Sequence, residues 1–330
     1  MKVIIPMLLA GDHRQQQEVD QYCPALLALL SYARQVPSAQ KPIAELFASL
    51  SCLPLSLERD LPLAAATAKG YSLPVAAGWL YADLVSISAD QNGLYCHGSL
   101  ASQLTDQEKS LLLDELNQFL AEDGLILYDC DQHWLLAAAQ PVELLTRDLT
   151  SAQGQSVQID EITGADAKYW RSLQAELGML LQQSTVNQRR RDQGFVTVDT
   201  VWLWGSGQLL SADYPLNHTR VLCSESKLAP GLGQFCGAKQ GASHALGQGV
   251  IYYNDCCQQA VLAGDDRLWQ RTLVQLESQV FKPLLQQLKR GQLKQLELFI
   301  DQNIVFSVTH WGVKKFWCRP KSVQSYRNGN

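Results

Sequence analysis

Short apolar runs with strand character alternate along this chain with longer stretches whose apolar residues recur every three or four positions. That alternation narrows the fold more than any other feature. Val3–Leu9, Trp79–Ile87, Thr200–Trp204 and Val250–Tyr253 read as strands. Between them, Pro24–Ala33 presents Leu26, Leu27, Leu29 and Leu30, and Ala165–Leu181 lines up Trp170, Leu173, Leu177 and Leu180 on one face. Ile43–Leu50 and Leu268–Leu288 read as further helices. The pattern predicts an α/β fold, a mostly parallel sheet flanked by helices. Such sheets collect ligands outside the carboxyl ends of their strands. Two strand ends carry loop chemistry of interest, Ala10-Gly11-Asp12-His13 and Gly205-Ser206-Gly207.

Composition removes several classes. With 330 residues, 46% of them hydrophobic, the chain can build one large core or two ordinary ones, which excludes wholesale disorder. A net charge of -5 argues against a nucleic-acid partner. No run approaches the roughly 18 uncharged apolar residues of a membrane helix, so no membrane partner is expected. The first twelve residues read as a buried strand and turn, not a secretion signal. Pro6 interrupts the apolar run, and Asp12-His13-Arg14 ends it without a small-residue cleavage pattern. Nine scattered cysteines without a CxxC pair suit neither a zinc site nor a disulfide framework, and predict reduced, unligated thiols in the cytosol. The six histidines are dispersed as well, and neither metal nor cofactor is expected.

Between Gly78 and Pro141 the pattern changes to two strands, a helix and two strands. Asp90-Gln91-Asn92-Gly93 is a hairpin turn. Thr105-Asp106-Gln107-Glu108 has the spacing of a capping box, in which Thr105 accepts from a helix-start amide while Glu108 reaches back. This unit reads as a small α+β insertion, 78–141, in a core domain made of 1–77 and 142–330. Thr146–Thr163 is expected to be a connection. Leu296–Phe299 and Ile304–Thr309 close the chain as a hairpin, followed by a basic tail that frays at its end.

Arg189-Arg190-Arg191 reads in two ways: a solvated charge cluster at a helix end, or a site where Arg190 turns inward to grip a phosphate or carboxylate with its bidentate fork. Gly205-Ser206-Gly207 can bring backbone amides close to an anion. Trp202 and Trp204 suit a core strand better than a stacking platform. Asp12 and His13 are two candidate metal ligands in what reads as a turn. Ser243-His244 lacks a third partner for nucleophilic chemistry.

Val186-Asn187-Gln188-Arg189-Arg190-Arg191-Asp192-Gln193-Gly194 followed by Trp202-Leu203-Trp204-Gly205-Ser206-Gly207 resembles a pattern of the archaeal-type cofactor-independent phosphoglycerate mutases, members of the alkaline phosphatase superfamily. Asn187, Arg190, Gly194, Trp202, Leu203, Gly205 and Gly207 fall on V-N-x-x-R-x-x-x-G and W-L-x-G-x-G. Those enzymes also carry a small α+β insertion upstream. With the closing Lys315-Phe316-Trp317-Cys318-Arg319-Pro320, the chain resembles bacterial regulatory proteins of the RpfE type. The resemblance implies an alkaline-phosphatase-like core and an anion-binding set of Asn187, Arg190, Gly205, Ser206 and Gly207. It also implies two-metal phosphotransfer, for which the expected residues are missing. Leu8 stands where the first metal-binding Asp belongs, although Asp12 survives, and neither the serine nucleophile motif nor a late D-x-x-H cluster is found. The expected function is therefore a cytosolic, phosphoglycerate-mutase-like regulatory or binding protein with no catalytic residues. Its partner would be a small phosphorylated or carboxylated metabolite, or another protein. The alternative is an active metal-dependent mutase or phosphotransferase with a rearranged site that uses Asp12 and His13.

Overall fold

Val3 and Ile4 are fully buried, as a strand covered on both faces of a parallel sheet must be. The computed structural model describes residues 1–9, 12–38, 42–51, 60–91, 93–130, 133–158, 161–206, 221–235, 237–242, 246–301, 303–315 and 317–327. In chain order its strands are β1 (Lys2–Ile4), β2 (Arg34–Pro37), β3 (Gly78–Asp90), β4 (Gly93–Ser99), β5 (Leu125–Cys130), β6 (His133–Ala138) and β7 (Ser156–Val157). They continue with β8 (Thr200–Trp204), β9 (Val221–Cys223), β10 (Lys239–Gly241), β11 (Val250–Tyr253), β12 (Gln295–Phe299) and β13 (Ile304–Thr309). The chain divides into two units, Met1–Leu55 with Ser211–Asn330, and Ser56–Leu210.

The first unit holds a seven-stranded sheet in the order β10-β9-β11-β1-β12-β13-β2. β10, β9, β11, β1 and β12 run parallel, and β13 and β2 are added antiparallel. β1 is shorter than Val3–Leu9 because Pro6 has no N–H with which to continue the ladder. The ladder ends with the bond from Ile5 N to the Phe299 carbonyl, 3.0 Å. Asp12, read in the sequence as a turn residue, opens a helix over His13–Tyr22. Its carboxylate accepts from Gln15 N at 2.8 Å while the Gln15 side chain accepts from Asp12 N at 3.1 Å. Trp269, Phe281, Phe306, Leu26 and Leu29 are among the fully buried side chains of this core. Trp269 lies on the helix Asp266–Leu276, which runs through a π-turn at Glu277–Phe281 into Lys282–Arg290. The basic tail is anchored as far as Tyr326: Val313, Val323 and Tyr326 are buried, and Val323 N donates to Asp20 at 2.8 Å, while the end at which fraying was expected, 328–330, lies outside the described residues.

The second unit is antiparallel. β3 is long enough to pair with β6 along Gly78–Tyr81, with β8 along Tyr81–Val85 and with β4 along Val85–Asp90. β5 extends β6, and β7 extends β4. The two strands, helix and two strands of 78–141 are present in that order, with the helix at Asp106–Leu120. The unit nevertheless reaches well beyond that segment. β8 hydrogen-bonds directly to β3, and the helix Ala167–Gln183 buries Trp170, Leu173, Leu177 and Leu181 in the same core as Leu112 and Leu116. The division into compact units falls after residues 55 and 210, and the named strands that pair in parallel all belong to the first unit. Among the described residues, no helix is long and apolar enough to cross a membrane.

Candidate functional site

The stretch singled out by sequence begins at Ser184, whose hydroxyl accepts from Val186 N at 3.2 Å and caps a helix over Thr185–Asp192. Val186 enters the core. Asn187, 1% exposed, braces three backbone groups: its Nδ2 donates to the carbonyls of Leu181 and Val198, both at 2.7 Å, and its Oδ1 accepts from Val198 N at 2.9 Å. Gly194 takes the left-handed φ of +74° that ends the helix, and Phe195 N returns to the Arg190 carbonyl at 2.8 Å. A glycine takes that left-handed conformation without the strain that a Cβ would bring.

Arg190 turns inward, as one of the two sequence readings required, and meets partners within the protein. It is 3% exposed. Its Nε donates to the Val196 carbonyl at 2.7 Å, and its Nη1 donates to Glu108 Oε1 at 2.9 Å and approaches the Gln103 carbonyl at 3.4 Å. The guanidinium also lies 5.6 Å from the Phe195 ring centre. Glu108 is the capping-box residue expected from sequence: its Oε2 accepts from Thr105 N at 2.8 Å and from the Thr105 hydroxyl at 2.9 Å. Burial pushes its carboxyl up, but the Thr105 amide and Arg190 outweigh that and hold it below the ordinary carboxylate value. Arg189 and Arg191 are exposed, and Arg191 donates to the Gln182 carbonyl at 3.1 Å.

The other half of the set sits at the far end of β8, a strand of five residues that spans about 16 Å. Gly205 has φ +65°, and a Cβ there would stand 3.0 Å from the Tyr81 ring. Its N–H donates to the Thr146 hydroxyl at 3.1 Å and its carbonyl accepts from Ala64 N at 3.2 Å. Ser206, 1% exposed, has one hydroxyl proton and two acceptors in reach, Asp60 Oδ2 at 3.2 Å and the Leu144 carbonyl at 3.1 Å. Asp60 also accepts from the amide and hydroxyl of Thr146, and burial raises its carboxyl despite those bonds. Gly207 lies outside the described residues. Asn187 and Arg190 are thus gathered at one end of β8, and Gly205 and Ser206 at the other. The four described residues of the set lie in two pairs, one at each end of β8.

A second polar cluster lies beside Gly205, and the sequence reading missed it. Asp83 on β3 is 1% exposed. Its carboxylate accepts from Trp204 Nε1 at 2.8 Å and Trp134 N at 3.3 Å, and it contacts His133 Nδ1 at 3.1 Å. Tyr81 stacks on Trp204 with ring centres 4.2 Å apart, and its hydroxyl meets that of Thr67 at 2.5 Å. His133 is about a quarter exposed, so a buried carboxylate orients an imidazole that reaches solvent. The available signal was Asp83 itself, a charge in the middle of an otherwise apolar strand, which has to find donors. Trp202 and Trp204 are buried, the former donating to the Arg147 carbonyl at 2.9 Å.

The carboxyl edge of the parallel sheet lies elsewhere, beyond β9 and β11, where Ser226 hydrogen-bonds Asp255 and Asn254 Oδ1 accepts from Cys256 N at 3.0 Å. Burial, then Asp255 and Glu225, push the Cys256 thiol up to about 11. Of the alternative metal ligands, Asp12 is spent on capping and His13 is exposed. Among the described residues, no three His, Cys, Asp or Glu side chains are grouped to hold a metal ion. Among the described residues, Cys23, Cys96, Cys130, Cys223, Cys256, Cys257 and Cys318 form no disulfide with one another, whereas Cys52, Cys236, Ser243 and His244 lie outside the described residues.

No protein-family model matches the chain, and no curated protein does. Two solved structures align with it over 93% of its length. One is the PH0037 protein of Pyrococcus horikoshii, at 10% identity and a TM-score of 0.47 over 86% of that chain. The other is a cofactor-independent phosphoglycerate mutase from Thermoplasma acidophilum, at 12% identity and a TM-score of 0.40 over 89% of that chain.

Proposed function

We propose that the chain is a phosphoglycerate-mutase-like protein without that family's catalysis, a regulatory or binding protein in which the 186–207 pattern survives as a folding element. The observation that carries this reading is the occupation of Arg190. An arginine holds a phosphate through free N–H groups arranged as a fork, and here Nε and Nη1 are bonded within the protein. Recruiting Arg190 to a ligand would leave Glu108 with its Thr105 bonds but without its ion-pair partner, a carboxylate beside the incoming anion. At the other end of β8, Asp60 would meet an anion in the same unfavourable way. The carboxyl edge of the parallel sheet carries Glu225 and Asp255, which also disfavour an anionic metabolite. Of the partners expected from sequence, these charges favour a protein over a small phosphorylated acid. The RpfE-type assignment and a cytosolic location belong to the same proposal; the first rests on the sequence resemblance, and the second also on the scattered cysteines.

The test is the interconversion of the two monophosphoglycerates by purified protein with added manganese, alongside calorimetric titration with each. The expected result is neither turnover nor binding heat. Metal-dependent turnover abolished by Asp12→Ala or His13→Ala would establish the rearranged enzyme instead.

A further inference from the structure

The charge of the chain is unevenly distributed. Residues 282–330 hold nine Lys and Arg against two Asp and Glu, a net of +7 in a chain whose total is -5, so residues 1–281 carry -12. From Gln302 onward there is no acidic residue at all. The fold concentrates these cations. The helix Lys282–Arg290 ends with exposed Lys289 and Arg290, and the His310 ring lies 3.2 Å from where a Cβ on the next residue, Gly291, would stand. His310 N donates to the Lys294 carbonyl at 3.0 Å and its Nδ1 contacts the Leu288 carbonyl at 2.6 Å, so the helix end, exposed Lys294 and His310-Trp311 are contiguous. Lys314 lies over the Trp311 ring at 4.3 Å. Lys315, Arg319 and Lys321 continue the exposed run. Among the described residues, none of these seven cations makes an ion pair.

Two tryptophans protrude from this basic ground, Trp311 at 74% and Trp317 at 65% exposure. Indoles are among the costliest side chains to leave in water. They are held out by a segment that is itself firmly seated through buried Val313, Val323 and Tyr326. The geometry points to a docking surface for an anionic lipid bilayer, with the cations on headgroups and the two indoles in the interfacial zone. Charge complementarity selects a polyanionic partner. Between bilayer and nucleic acid, two features favour the bilayer. Five of the seven cations are lysines, point charges suited to a diffuse field, whereas phosphate strands are gripped by arginine forks. The indoles stand out from the surface, and interfacial insertion needs no complementary groove, whereas strand binding needs a groove in which successive bases stack. This surface belongs to the first unit and is independent of the 186–207 pattern.

The test is co-sedimentation of the full chain with vesicles of phosphatidylcholine containing phosphatidylserine, compared with phosphatidylcholine alone, while tryptophan emission is recorded. Binding is expected only to the anionic vesicles, with a blue shift, and is expected to weaken as salt is raised. Each of Lys314→Gln, Lys315→Gln and Lys321→Gln should weaken it about fivefold, because a cation near such a surface contributes about 1 kcal/mol. Trp311→Ala with Trp317→Ala should remove the blue shift. These side chains are exposed, and circular dichroism verifies that the variants are folded. Salt-insensitive binding, equal binding to neutral vesicles or no binding at all overturns the proposal. So does tighter binding to a single-stranded oligonucleotide than to the anionic vesicles.

Discussion

Arg190→Ala is the perturbation that separates a structural arginine from a ligand-gripping one. Removing the side chain breaks a charge-assisted bond to Glu108 and a bond to the Val196 carbonyl. A hydrogen bond to a charged group contributes about 1.5–3 kcal/mol. Stranding one partner of a buried pair costs roughly 3–5 kcal/mol. Glu108 keeps its Thr105 bonds and about a fifth of its side-chain exposure, so it is only partly stranded. The lower limit therefore applies, about 3 kcal/mol. For a unit of this size, each kcal/mol moves Tm by about 2–4 °C, so a drop of about 6–12 °C is expected in thermal denaturation followed by circular dichroism. Arg189→Ala and Arg191→Ala, at exposed positions, should each change stability by under about 0.5 kcal/mol. A double-mutant cycle with Glu108→Gln should give a coupling on the order of 1 kcal/mol or more. The pH dependence follows from the same pair. Glu108 titrates lower in the folded state, so its contribution is complete above the unfolded carboxyl value of 4.5 and is lost as pH falls through the folded value. An Arg190→Ala protein with unchanged Tm that had lost affinity for a phosphorylated acid would refute the whole argument.

Asp83→Ala, which strands the Trp204 indole N–H and the Trp134 amide, should destabilise the second unit by about 3 kcal/mol in urea denaturation; a change below about 0.5 kcal/mol would show that those donors find other partners. Gly205→Ala combines a left-handed φ with a Cβ pressed on the Tyr81 ring and should cost more than Gly194→Ala, which has the strain without the contact. Calorimetric unfolding ranks the two, and equal losses would dismiss the Tyr81 contact. Cys256, with its thiol raised to about 11, should alkylate with iodoacetamide far more slowly at neutral pH than glutathione, and parity would mean its environment is wrongly described.

What the sequence made legible was local. The Thr105–Glu108 capping box, the Asp90–Gly93 hairpin turn and the apolar face read over Ala165–Leu181 each depend on residues within a few positions of one another, and each formed, the helix as Ala167–Gln183 with Leu181 in place of Leu180 as its last buried residue. The second role of Glu108, holding Arg190, joins residues 82 apart, and no spacing rule anticipates it. The pairing of β8 with β3 is equally remote, and it assigns the 142–206 stretch to the second unit. The helix His13–Tyr22 escaped because three consecutive glutamines leave it only Val19 as an apolar buried residue, so no hydrophobic stripe marks it. At the candidate site the residue types were legible, but not their partners. Asn187 and Arg190 are well suited to an anion, and only the neighbours that fold against them show that the Asn187 amide and the Arg190 Nε and Nη1 are already bonded within the protein.

The insertion of one unit inside the other has a consequence for the order in which the chain acquires structure. β1 is the middle of the first sheet, yet its two neighbours, β11 and β12, begin near residues 250 and 295. At about 5–20 residues per second, a ribosome needs on the order of 10–50 s to deliver Ile251 after Lys2. During that interval Val3, Ile4 and Ile5 have no ladder to join, and the apolar faces of Pro24–Tyr32 and Pro42–Ser51 have no core to cover them. The second unit, whose strands all lie between residues 78 and 204, is complete in sequence long before the first. Nascent chains of this protein therefore emerge with a finished domain tethered to an unfinished, hydrophobic leader, the state in which holding chaperones are most needed.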